Sequence, residues 1–138
     1  NILFFNADTK VKIIQISSST ACEGKTTVIA NLAVTMANNG LKVLLVEGDL
    51  RAPRIHHAFN LENEFGIYDY MLHNKSLKEI VKHTDVKVDV ITRGEKIENP
   101  SAVIASEKYK NLITQAKEEY DYILLMYRKL NLYQFLLY

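Results

Sequence analysis

Apolar positions along the chain change period several times, and each change marks a predicted element. Val11-Lys12-Ile13-Ile14-Gln15-Ile16-Ser17 is β-branched and mostly apolar, as a strand buried in a parallel sheet should be. A polar loop follows it. From Lys25 to Asn39 the apolar residues Ile29, Leu32, Ala33 and Met36 fall at i, i+3, i+4 and i+7, which predicts a helix with one buried face. Gly40 supplies the left-handed stop after its last turn. Leu41-Lys42-Val43-Leu44-Leu45-Val46 reads as a second buried strand, so the first third is a βαβ unit whose crossover is right-handed and whose sheet is parallel.

Weaker signals follow. Pro53 is placed to open a short helix, and Gly66 breaks the chain before Ile67 to Leu72. Ser76 is the predicted N-cap of a helix from Leu77 to His83, and Val86 to Ile91 alternates as a strand. Asn99-Pro100 begins an amphipathic helix running to about Glu119, followed by a strand from Tyr122 to Met126. Lys75, Lys78, Lys82 and Lys87 read as a solvated face, and Asn1 to Phe5 as the end of an element that begins upstream. Strands alternating with helices predict an α/β doubly wound fold with a mainly parallel sheet, its ligands beyond the carboxyl ends of the strands.

Composition narrows the partners. The chain has 138 residues, 48% hydrophobic and 24% charged, enough for one globular domain with a core of its own. A formal net charge of +1, with acids and bases interspersed, gives no field that would gather nucleic acid or anionic lipid. No apolar run is long enough to cross a bilayer. The single cysteine, Cys22, excludes an internal disulfide framework and fits a reducing, cytosolic compartment.

Ser19-Thr20-Ala21-Cys22-Glu23-Gly24-Lys25-Thr26-Thr27 matches the P-loop pattern except at its first glycine, which is Ser19. A triphosphate needs successive backbone N–H groups, a helix N-terminus, a fixed cation and a hydroxyl for magnesium. Gly24 lets the backbone approach, Lys25 is placed for the β/γ-phosphates, and Thr26 for magnesium. Thr27 helps cap the helix, and the expected nucleotide-binding residues run from Cys22 and Glu23 to Thr27. The competing reading is an ordinary βα turn; the strand before the motif and the helix after it favour the phosphate loop. Cys22 reads as a tolerated small loop residue, or as a thiol at a helix N-terminus whose lowered pKa makes nucleotide binding redox-sensitive.

After the second strand comes Val46-Glu47-Gly48-Asp49-Leu50-Arg51-Ala52-Pro53. Two carboxylates two residues apart at that strand end are placed to face magnesium or an incoming hydroxyl. Glu23 to Thr27, Asn31-Leu32-Ala33 and Leu44 to Pro53 together resemble the bacterial tyrosine kinases of capsule and exopolysaccharide biosynthesis, where the second acidic block is called Walker A′. Gly66 to Leu72, Gly94, Asn99-Pro100 and Tyr120 to Leu125 resemble the same family in the same order. The resemblance implies a P-loop NTPase-like three-layer fold, incomplete at the C-terminal side, that binds ATP and Mg2+ through Lys25 and Thr26. It implies that Glu47 and Asp49 serve the metal and catalysis. The family normally has Asp where this chain has Glu47, and a basic residue at the position of Arg51, which reads equally as a surface cation. His56 and His57 have no identifiable metal partners and read as surface histidines.

Two departures matter. The family's last strand here ends in the Walker B Asp, usually followed by Thr or Ser and two prolines, whereas this chain continues Met126-Tyr127-Arg128-Lys129. The remainder to Tyr138 resembles nothing in the family, so 1–125 reads as a partial kinase-like domain and 126–138 as a divergent tail left by truncation or a changed reading frame. Tyr127, Tyr133 and Tyr138 are not equated with the family's autophosphorylated tail. The loss of the acid leaves two functional readings: an impaired tyrosine kinase, or a nucleotide-binding or interaction module without transfer. A third, a partition-type P-loop ATPase, ranks last because that group has a signature lysine where this chain has Thr20. The resemblance further implies a cytoplasmic protein docked to a membrane adaptor of polysaccharide export, with tyrosine-containing proteins as substrates. The family's ring assembly uses an upstream helix not evident in this chain, which leaves self-association an open expectation.

Overall fold

The computed structural model describes residues 3–8, 12–18 and 23–127. Six strands, β1 (Leu3–Asp8), β2 (Ile13–Ser18), β3 (Val43–Glu47), β4 (Lys82–His83), β5 (Val88–Ile91) and β6 (Tyr122–Tyr127), form one sheet in the order β1-β2-β6-β3-β5-β4. The four inner strands are parallel; β1 and β4 run antiparallel at the two edges. The helices are α1 (Glu23–Asn38), α2 (Ile55–Ala58), α3 (Ile67–Leu72), α4 (Leu77–Ile80), α5 (Pro100–Ile104) and α6 (Glu107–Glu119).

Alternation along the strands divides the core in two. Ile16, Val43, Leu45, Val88, Val90, Leu124 and Met126 turn to one face and pack against Ile29, Ala33 and Ala37 of α1 and Ile55 of α2. Ile13, Leu44, Val46, Ile91, Ile123 and Leu125 turn to the other, under α3 to α6. This is the three-layer α/β arrangement expected of a doubly wound sheet. Gly40 ends α1 with φ of 86°, a left-handed conformation in which a side chain is strained.

Several element boundaries differ from the sequence expectation, each for a local reason. The helix predicted to reach His83 stops at Ile80, because Lys82 and His83 pair with Val90 and Asp89 as strand β4. Lys82 is not part of a solvated face: its Nζ donates to the Glu62 carbonyl at 2.6 Å and to Glu64 and Thr92 at 2.9 Å, and lies 4.3 Å from the Phe65 ring centroid. The long helix predicted from Pro100 is two helices, broken at Ser106, whose hydroxyl accepts from the Tyr109 N–H at 3.1 Å and caps α6. The last strand runs one residue further than expected, so Met126 and Tyr127 are sheet residues. Leu3 to Asp8, near the start of the given sequence, form the antiparallel edge strand β1.

Candidate functional site

The sheet order brings three strand ends together. In β6, Met126 is in register with Ile16 of β2 on one side and Glu47 of β3 on the other. The strand that leads to the phosphate loop and the strand that leads to the acidic block are therefore separated only by the end of β6. Helix α1 begins directly after that loop, with Gly24, Lys25 and Thr26 in its first turn, so its N-terminal amides and positive dipole end face the same region. Ser19 to Cys22 lie outside the described residues, and with them the expectations for Cys22. Thr26 is buried and Thr27 exposed; both line a cavity of about 190 Å³ completed by Arg54, His57 and Ala58.

The two acids have different surroundings. Glu47 is fully buried. One of its oxygens, Oε1, accepts from the Arg54 N–H at 2.7 Å and the Ile55 N–H at 2.9 Å, while Oε2 accepts from the Asp49 N–H at 3.2 Å. The chain after β3 thus folds back so that the start of α2 rests on the Glu47 carboxylate. Burial pushes the Glu47 pKa up to about 7, against the opposing pull of those backbone donors and with help from the charge of Asp49. Asp49, also buried, accepts from the Ala52 N–H at 3.1 Å. Gly48 between them donates its N–H to the Met126 carbonyl at 2.7 Å. A Cβ at Gly48 would collide with that carbonyl and come within 2.7 Å of the Tyr127 ring, so the seam between β3 and β6 closes only around glycine.

Magnesium takes one or two carboxylates and completes its octahedron with phosphate oxygens and waters. The Thr26 hydroxyl and the Asp49 carboxylate, on either side of the β6 end, are donors of the right hardness for that role. Met126, 6% exposed and packed among apolar residues, contributes none. Among the described residues no three His, Cys, Asp or Glu side chains form a metal cluster.

Arg51 is exposed. Of the two histidines expected at the surface, only His57 is exposed; His56 is half-buried, with its ring centroid 4.0 Å from that of His57. Burial holds the His56 imidazole below its ordinary pKa, and the nearby cations His57, Lys82 and Arg93 act in the same direction. Sequence reasoning passed over Arg54 and His57 as site residues. The signal available was their position five and eight residues after Asp49, within one fold-back of the acidic block.

Comparison with known proteins places the chain clearly. A family model described as an AAA domain matches residues 11–133. The tyrosine-protein kinase YwqD of Bacillus subtilis is 39% identical over 125 residues, 90% of this chain and 53% of that protein. The solved kinase domain of the Escherichia coli tyrosine kinase ETK superposes with a TM-score of 0.82 at 31% identity, covering 88% of this chain and 48% of that one. A septum site-determining protein, MinD of Pyrococcus horikoshii, solved with Mg-ADP, superposes with a TM-score of 0.71 at 25% identity, covering 89% of this chain and 51% of the other. The chain spans about half the length of YwqD and of a putative tyrosine-protein kinase CapB of Staphylococcus aureus, and 17% of the tyrosine-protein kinase etk of Escherichia coli.

Proposed function

We propose, because the chain belongs to the AAA domain family and within it to the bacterial tyrosine kinases, that it is the ATP-binding portion of a protein-tyrosine kinase of capsule or exopolysaccharide synthesis, impaired in phosphoryl transfer. The observation that carries the reading is the register of Met126 between Ile16 and Glu47. It aligns the phosphate-loop strand and the Walker A′ strand across an end that offers no carboxylate.

In the proposed chemistry the loop from Ser19 and the first turn of α1 bind the phosphates through backbone N–H groups, and Lys25 neutralises the β/γ oxygens. Thr26 and Asp49 would hold magnesium, which would offset the charge of the transferring phosphoryl group. The bond from the γ-phosphorus to the β-phosphate oxygen breaks and one to a tyrosine oxygen forms; the phenolic proton passes to a carboxylate, and ADP leaves. Glu47, tied to three backbone amides, acts first by holding the Asp49 turn and the start of α2 in place.

With Met126 at the Walker B position, one anionic partner of the metal shell is missing, which costs on the order of a hundred-fold or more in rate. The same observation supports the second reading, a nucleotide-binding module without transfer. A partition-type ATPase fits less well, since the chain has Thr20 at that group's signature lysine. The relatives' setting extends the proposal to a cytoplasmic protein reaching the membrane through an export adaptor; among the described residues no helix is long and apolar enough to cross a membrane.

Calorimetry of ADP and magnesium binding to the wild type and to Lys25→Ala tests the assignment. Near-complete loss of binding in the variant is the expected result. Equal affinity for the two proteins would remove the nucleotide assignment.

A further inference from the structure

The outer face of α1 has a composition that exposure alone does not explain. From Thr26 to Gly40 the chain holds no Asp, Glu, Lys, Arg or His, although 24% of all its residues are charged. The other long helix, α6, shows what contact with water usually selects: Glu107, Glu118 and Glu119 are exposed on it, and Lys108, Lys110 and Lys117 are half-buried. On α1 the exposed positions include Val28, Asn31, Leu32, Thr35 and Asn39. Val28 and Leu32 are 50% and 40% exposed, two of the four large apolar side chains that stand out in this way among the described residues.

These positions are ordered. Val28, Leu32, Thr35 and Asn39 follow one another at intervals of four, three and four residues, which sets them in one stripe along the helix with the spacing that lets two helices pack side by side. The polar members of the stripe are turned back onto their own helix: the Thr35 hydroxyl donates to the Asn31 carbonyl at 2.8 Å, and Asn39 Nδ2 donates to the Thr35 carbonyl at 2.8 Å. Covering them therefore costs less than covering polar groups bonded only to water, and covering Val28 and Leu32 removes apolar surface from solvent.

Charge limits what can lie on the stripe. An acidic or basic partner finds no counter-charge there. In a two-fold pair each residue near the axis faces its own copy, so a charged face repels itself and an uncharged one does not. We propose that the outer face of α1 docks a second copy of this chain, α1 against α1, with the two-fold axis near Leu32 and Val28 beside it. The surface lies on the helix that follows β2 and is separate from any upstream helix. Helix α1 has 16 residues and is about 24 Å long, so a contact confined to its face is smaller than a stable dimer needs, and the pair is weak and transient.

Sedimentation velocity of the purified full chain, from low micromolar to sub-millimolar concentration, tests the proposal. The proteins are the wild type, Leu32→Lys, Leu32→Glu and, as a control at an apolar side chain 64% exposed on α3, Leu72→Lys. The wild type and Leu72→Lys are expected to dimerise alike as concentration rises. Each Leu32 variant should weaken dimerisation by about tenfold or more, because it sets like charges against each other at the axis. An equimolar mixture of the two Leu32 variants should associate again, the lysine of one copy meeting the glutamate of the other. Thermal melts accompany each protein; if a Leu32 variant melts early, Val28→Lys at the more exposed neighbouring position decides in its place. A wild type that stays monomeric throughout, dimerisation retained in the α1 variants, a mixture that stays monomeric, or an equal loss in Leu72→Lys overturns the proposal.

Discussion

Glu47 and Met126 sit directly opposite one another across β3 and β6, and the amide that follows Glu47 donates to the Met126 carbonyl at 2.7 Å. One partner is a fully buried acid and the other a thioether in the apolar layer under α1. Where a carboxylate opposite Glu47 would set two acids side by side, this strand pair has one acid, satisfied by backbone donors. Its pKa, its neighbours and the cost of changing either follow from that pairing.

The buried acid makes stability depend on pH. Glu47 titrates near the ordinary 4.5 when unfolded and at about 7 when folded, so the folded state holds its proton more tightly. The stabilisation is fully present below about 4.5 and is lost as pH rises through about 7, on the order of 3 kcal/mol across that window. Urea denaturation at several pH values should show this decline, and Glu47→Gln should flatten it. A wild-type slope retained in the variant would assign the dependence to other groups.

The two acids should separate in their dependence on magnesium. Asp49→Asn is expected to weaken ADP binding in the presence of magnesium by about tenfold or more, and much less in its absence. Glu47→Gln removes an acceptor for the Asp49 N–H and shifts the whole turn, so its loss should be similar with and without metal. Calorimetry in magnesium and in chelator reads both. A larger metal-specific loss for Glu47→Gln than for Asp49→Asn would return Glu47 to direct metal contact.

Met126→Asp places a second carboxylate beside Glu47 in a site 6% exposed. Without metal the variant should lose roughly 2 to 4 kcal/mol of stability through desolvation and like-charge repulsion. Magnesium and ADP should restore much of its melting temperature, more than they raise that of the wild type. Transfer of labelled γ-phosphate to a tyrosine substrate should rise over the unaltered chain, with Lys25→Ala as the blank. Robust transfer by the unaltered chain would retire the impaired reading.

Gly48→Ala should be disproportionately costly for so small a change. The added methyl has no space against the Met126 carbonyl and the Tyr127 ring, so the seam between β3 and β6 must open. A loss of roughly 2 to 3 kcal/mol in chemical denaturation is expected. Gly40→Ala serves as the comparison: nothing lies within 4 Å of a Cβ there, and its φ of 86° supplies only backbone strain.

The βαβ unit was legible in the residues themselves, because it depends on local order: β-branched runs, the 3.6-residue spacing from Ile29 to Met36, and a glycine, lysine and threonine at a helix start. That the last inner strand ends on Met126, without a carboxylate, could also be read in chain order. What tertiary structure decided were matters of pairing between distant segments. Leu77 to His83 reads as one helix along the chain, yet Lys82 and His83 are claimed by β5. Lys82 looks solvated in sequence and is held by Glu64 and Thr92. Glu47 stands two residues before Asp49 in the chain, but only the return of Arg54 and Ile55 over the strand end turns its carboxylate inward. Such contacts depend on which strands become neighbours and where a loop folds back, and no periodicity along the chain encodes either, because both are set by burial and backbone hydrogen bonding across the finished sheet.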